Sequence, residues 1–179
     1  ETPVAPGATA RSSQRPPQSI QSALNPAETV TAMLDAYLDK RLGEYYQYVS
    51  TPDKNLKSLD SLQAEFAPSA TDLVIDFLFS ATRFGIDSVR VDEDSARVYV
   101  TATSPPVGFV MQQAQIVERD LGPETDMPTK LSVLTERHRL SGAPREENQT
   151  LYRLIREGKG WRVVVGWAEM AAYLDDDGR

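Results

Sequence analysis

Thr150-Leu151-Tyr152-Arg153-Leu154-Ile155-Arg156-Glu157-Gly158-Lys159-Gly160-Trp161-Arg162-Val163-Val164-Val165-Gly166-Trp167 reads as a β-hairpin. Glu157-Gly158-Lys159-Gly160 supplies the turn, and the flanking runs of aromatic and β-branched residues are strand-like. In the second run Trp161, Val163, Val165 and Trp167 fall on one face, with Arg162, Val164 and Gly166 opposite. Upstream, Ile86–Val91 and Ala96–Thr103 flank Asp92-Glu93-Asp94-Ser95 and form a second hairpin with an acidic turn. In its second strand Ala96, Val98, Val100 and Ala102 share one face, and Arg97, Tyr99, Thr101 and Thr103 the other. Two hairpins with one apolar face each require helices to cover them.

The helices are read from 3.6-residue periodicity and end signals. Asn25-Pro26-Ala27-Glu28 combines an N-cap residue, a proline at the first helical position and the acid of a capping box. Val30, Met33, Leu34, Tyr37, Leu38 and Leu42 follow as one stripe, with Gly43 as the expected stop. Glu44–Val49 is a second short helix ended by Thr51-Pro52-Asp53, and Leu59–Phe66 contributes a further turn or two. Thr71–Phe84 is apolar on nearly every side, which predicts deep burial. Between the hairpins lie a helix from Val107 to Leu121 and a segment Met127–Leu140. The latter reads as a helix, although Leu131 and Val133 also fit strand alternation; Ser141–Gln149 reads as a loop.

Residues 1–24 hold Pro3, Pro6, Pro16 and Pro17 among Ser, Gln and Ala, with no aromatic residue. Such a segment buries too little apolar surface to offset the entropy of ordering it, so it is expected to be a linker or tether. The expected organisation is therefore a tail over 1–24, one domain over 25–174, and an acidic end over 175–179. The formal charge of the 179 residues is −7. The tail contributes only Glu1, Arg11 and Arg15, so the negative charge belongs to the domain. A surface of that sign argues against nucleic-acid partners and against direct adhesion to anionic membranes. Membrane contact is expected only through a tether upstream of residue 1.

No cysteine is present, which removes thiol catalysis, disulfides and cysteine-ligated zinc. His138 is the single histidine and sits in the charged run Thr135-Glu136-Arg137-His138-Arg139, so it is expected at the surface, away from metal binding or catalysis. Carboxylate pairs such as Asp72/Asp76 and Glu146/Glu147 have ordinary solvated explanations. No nucleotide-binding glycine loop or nucleophile elbow occurs. Asn148-Gln149-Thr150 fits a glycosylation acceptor, and Asp175-Asp176-Asp177 lacks a loop that would organise calcium. No catalytic residue, metal or cofactor is assigned.

Arg41-Leu42-Gly43-Glu44-Tyr45-Tyr46 with Tyr48-Val49-Ser50, the strand Ala96–Pro105, and the closing pair Tyr152–Ile155 and Gly158–Val163 together resemble the NTF2-like superfamily, the cystatin-like α+β roll. The similarity spans about Asn25–Ala168, and the helical stretch Val107–Leu140 departs from it. The resemblance implies a bent antiparallel sheet wrapped on N-terminal helices, with a cone-shaped cavity and a helical insertion between strands. It is similar to envelope members of that superfamily, which implies a periplasmic, envelope-anchored or secreted module; an organelle lumen is the alternative. The expected function is non-enzymatic: binding a small apolar ligand, or docking a protein partner or a second copy through the sheet. The alternatives are a small lyase or isomerase using the cone, and a structural subunit of a complex. Tyr37, Tyr45, Tyr99 and Trp161 are the candidate pocket residues, and Arg162 and Val164 the candidate docking residues.

Overall fold

A computed structural model describes residues 24–67 and 72–176, with side chains described as far as residue 171. Apart from Leu24, the proline-rich segment lies outside the described residues, as do residues 177–179 of the acidic end. The chain is α+β, built on a four-stranded antiparallel sheet of order β1-β2-β3-β4. The strands are β1 (Arg83–Asp92), β2 (Ser95–Ser104), β3 (Glu146–Glu157) and β4 (Gly160–Val164). Among the described helices, none is long and apolar enough to cross a membrane.

The first helix, α1 (Pro26–Leu38), begins as its sequence dictates. The Asn25 side chain accepts from the Glu28 N–H at 3.0 Å, and the Glu28 carboxylate accepts from the Asn25 N–H at 2.9 Å. Its end differs from expectation: α1 stops at Leu38, and Lys40 takes a left-handed φ of 58°. Gly43, the expected stop, lies inside α2 (Leu42–Gln47). The sequence Thr51-Pro52-Asp53, expected to close a helix, opens α3 (Thr51–Lys54) instead, with Ser50 as the N-cap. The short α4 (Leu59–Phe66) follows.

Two cores result. In the sheet lobe, Val30 and Met33 of α1 pack on Ala96, Val98 and Val100 of β2, Leu154 of β3, and Trp161 and Val163 of β4. In the helical lobe, Leu73 and Phe77 of α5 (Leu73–Ala81) pack on Val110, Ala114 and Val117 of α6 (Val107–Leu121) and Leu134 of α7 (Met127–Ser141). The sheet therefore packs on α1, and the helix read over Thr71–Phe84 is buried in the other lobe. The α5 helix packs chiefly against α6 and α7, and Phe84 already belongs to β1. The stretch from Met127 is a helix throughout, which removes the strand alternative.

The strands also differ at their ends. Glu146–Gln149, read as loop, pairs with Thr101–Ser104 as the start of β3. β4 ends at Val164, so Trp167 leaves the strand face assigned to it and begins α8 (Trp167–Asp176). The reason is local. The Val165 N–H donates to Asp53 at 2.9 Å, Gly166 turns the chain at φ 88°, and the Ala168 N–H donates to the same carboxylate at 2.9 Å. On the far side of β4, Val49 forms a parallel bridge to Val163, with the Val163 N–H reaching the Tyr48 carbonyl at 2.7 Å.

Candidate functional site

The face of the sheet turned toward α1 carries Ala96, Val98 and Val100, and register extends it through Tyr152 and Leu154 on β3. α1 covers this face only partly. At the end where β4 stops, a cleft of about 380 Å³ opens between α1, α2 and the β3–β4 hairpin. Met33, Leu34 and Val165 supply apolar walls, Tyr37, Tyr45 and Tyr152 line it as well, and Val164 borders it from the strand edge. Helical spacing brings Met33, Leu34 and Tyr37 to one side of α1, and the turn at Lys40 folds α2 back so that Tyr45 meets Tyr37. Their ring centroids are 5.5 Å apart.

The three phenols share one electrostatic environment. Burial, then the nearby Tyr37, Tyr152 and Asp53, pushes the Tyr45 hydroxyl up to about 12. Burial likewise raises Tyr37, and burial followed by Tyr37 raises Tyr152. All three are therefore neutral O–H groups across the physiological range. Among the described residues, none of these hydroxyls has a hydrogen-bond partner, whereas the Tyr46 hydroxyl donates to the Lys57 carbonyl at 2.8 Å. The cleft thus offers three unengaged donor–acceptor groups in apolar walls.

Asp53 stands behind this site and was not singled out in the sequence. It is fully buried, and its carboxylate accepts from the Ser50 hydroxyl at 2.7 Å and from the Val165 and Ala168 N–H groups. Burial alone raises its pKa. The hydrogen bonds from Ala168, Ser50, Val165 and Gly166 together outweigh that and hold it below the usual carboxylate value. Because Val165 lines the cleft, Asp53 fixes that part of its wall.

No family model, curated protein or solved structure matches this chain.

Of the residues selected from sequence, Tyr37 and Tyr45 meet in the cleft, while Val164 borders it from the opposite face of the sheet, where it stands opposite Arg153. Trp161 lies in the core at 6% exposure, under the Arg156 guanidinium at 4.6 Å, and Tyr99 sits on the opposite face of the sheet. Arg162 also occupies that opposite face, where its side chain donates to the Trp161 carbonyl at 2.8 Å. Tyr152 was missed as a site residue. Its signal was alternation with Leu154, which places both on the apolar face. A wider groove of about 710 Å³ separates the two lobes, with Asp35, Asp39, Phe79 and Arg83 among its walls and Lys40 ion-paired to Asp76 within it. No group of three His, Asp or Glu side chains among the described residues is placed to hold a metal.

His138 differs from expectation. It is half-buried, its ring 5.1 Å from Phe77 and 6.0 Å from Phe109, and its Nδ1 is buried without a partner. Burial, and secondarily the charge of Arg145, lowers its pKa.

Proposed function

We propose that this protein is a non-enzymatic binding module whose cleft between α1 and the β3–β4 hairpin takes a small, largely apolar ligand bearing a carbonyl or hydroxyl group. The observation that carries the reading is the trio of unpartnered hydroxyls on Tyr37, Tyr45 and Tyr152 inside apolar walls. These hydroxyls reach solvent through the cleft mouth, so a ligand carbonyl or hydroxyl takes the place of water on them while its apolar part leaves water for the walls. The volume lies within the range typical of small-molecule sites. Placement in the cell envelope rests on the resemblance to envelope members of the NTF2-like superfamily. An α1-backed antiparallel sheet with a cleft at one end is compatible with that roll.

Binding ranks ahead of a lyase or isomerase on chemical grounds. The cleft is lined by phenols held protonated, with no carboxylate or imidazole among the described lining residues to accept a proton near neutral pH. Asp53, whose charge reaches Tyr45, has both oxygens occupied.

Titration with a neutral environment-sensitive dye, N-phenyl-1-naphthylamine, tests the site. Saturable binding is expected, with Leu34→Trp abolishing it by filling the cleft. Tyr45→Phe is expected to weaken a ligand bearing a carbonyl by about 0.5–1.5 kcal/mol, roughly two- to tenfold. Dye binding unchanged in Leu34→Trp would place the site elsewhere.

A further inference from the structure

The face of the sheet turned away from α1 is organised by register into rows. Arg90 of β1 stands opposite Arg97 of β2, Arg97 opposite Arg153 of β3, and Arg153 opposite Val164 of β4. Neighbouring strands lie roughly 4.8 Å apart, so three guanidinium-bearing side chains form one transverse row. The next row holds Ser88, Tyr99 and Leu151, and on the other side Ile155 stands opposite Arg162.

Arg90, Arg97 and Arg153 are exposed, and Leu151 is 44% exposed. Arg153 meets Glu169 of α8. Among the described residues, Arg90 and Arg97 have no ion pair and no side-chain hydrogen bond. Like charges directly opposite one another oppose sheet formation, so folding alone gives no benefit from this row. On a chain of net charge −7 it is a local inversion of sign. Arginine and tyrosine beside exposed Leu151 and half-buried Val164 make the composition of an interaction surface.

We propose that this face docks an acidic, extended segment of a partner protein, its carboxylates on Arg90 and Arg97 and its apolar side chains against Tyr99, Leu151 and Val164. The contact of Arg153 with Glu169 shows a carboxylate already engaging the row from one end. Residues 1–23 do not supply the complement, because they carry one acid, Glu1, against Arg11 and Arg15. The overall negative charge disfavours a long polyanion such as DNA while leaving a short acidic segment acceptable. Leu151 and Val164 also border the tyrosine cleft, whereas Arg90 and Arg97, which carry this inference, lie outside it.

The test uses the full chain and a fluorescein-labelled peptide alternating Glu with Leu, with a Gln-for-Glu peptide and a DNA oligonucleotide of equal length as comparators. The Glu peptide is expected to bind, and binding should weaken as ionic strength rises from about 0.01 to 0.15 M, where the Debye length falls from about 30 to 8 Å. Arg90→Glu with Arg97→Glu should weaken it at least about tenfold. Circular dichroism and dye binding in the tyrosine cleft verify that this pair is folded; should it fail to fold, Arg97→Gln alone is read for a smaller loss. Equal binding of the Gln peptide, tighter binding of DNA, absence of salt dependence, or full affinity in the folded charge-reversed protein overturns the proposal.

Discussion

In the sheet lobe Asp53 is wholly buried with both oxygens hydrogen-bonded, while in the helical lobe His138 is half-buried with Nδ1 facing no donor or acceptor. The two polar groups lie in backbones of different kinds. Around Asp53 the chain ends β4, turns at Gly166 and starts α8, so the N–H groups of Val165 and Ala168 have no strand or helix partner. A carboxylate there satisfies the backbone and itself together. His138 lies on α7, where main-chain groups bond along the helix, and its ring contacts Phe77 and Phe109, which offer no polar atom. A buried polar side chain is thus stabilising where the backbone is irregular and costly where the backbone is already paired.

The largest expected effects come from the two cores. Trp161→Ala should cost about 3–5 kcal/mol of folding free energy, and Phe77→Ala a similar amount, measured by urea denaturation. Hydrogen exchange sharpens the contrast. The Phe77 variant should lose protection first in α5, α6 and α7, while the Trp161 variant loses it in the sheet. Identical exchange patterns in both would show that the lobes open as one unit.

Next in size, Asp53→Asn should cost roughly 1.5–3 kcal/mol, because it removes charge-assisted bonds and turns an amide N–H₂ toward another donor. The pH dependence has a definite sign. Asp53 is held below its ordinary value of 3.8 in the folded state, so its contribution is present above that value and is lost as pH falls through the lower folded value. Acid unfolding of the wild type in that window, flattened in Asp53→Asn, is the expected result. Equal acid midpoints for the two proteins would show that the Asp53 charge does not hold the β4–α8 turn.

The smallest effect belongs to His138. The sequence placed it among surface charges, where substitution to alanine would change stability by only about 0.5 kcal/mol either way. Its contacts with Phe77 and Phe109 raise the expected loss in His138→Ala to about 1–2 kcal/mol, with His138→Leu neutral or stabilising because it removes the unpartnered nitrogen. Its folded pKa lies below the ordinary 6.5, so its neutral form gives full stability above pH 6.5, declining as pH falls through the folded value. Thermal melts across that range should show the decline in wild type and its loss in His138→Leu. A leucine variant as pH-sensitive as wild type would assign the dependence to another group.

Local chemistry explains which elements were readable. The capping box at Asn25 and Glu28, the Gly158-Lys159-Gly160 turn and the alternation along β2 each involve residues close in sequence, and each appears as read. What escaped depended on distant partners. Nothing near Trp167 announces that β4 has ended, since Val165 and Trp167 continue its alternation; Asp53 decides it from the other end of the chain. Likewise α5 is apolar around most of its circumference, so its sequence does not say which neighbours it meets. In the cleft, Tyr37 and Tyr45 are legible from the stripe of α1 and the aromatic break after it. Tyr152 appeared as one alternating residue among several, and Tyr99 was assigned to a pocket although its neighbours Val98 and Val100 take the core face.

The order of strands has a kinetic consequence. β1 and β2 are joined by the two residues Glu93 and Asp94, whereas β2 and β3, equally adjacent in the sheet, are joined through residues 105–145. Closing a loop grows in cost by only about 0.6 kcal/mol per doubling of length, so the longer connection adds roughly 2–3 kcal/mol to the initiation of β2–β3 pairing. The α6–α7 pair reduces that burden, because two antiparallel helices of matching length return the chain close to where it departed. Early collapse of that helical hairpin would act as a splint for the central ladder of the sheet, setting the folding rate from a lobe that contributes little to the sheet's final packing.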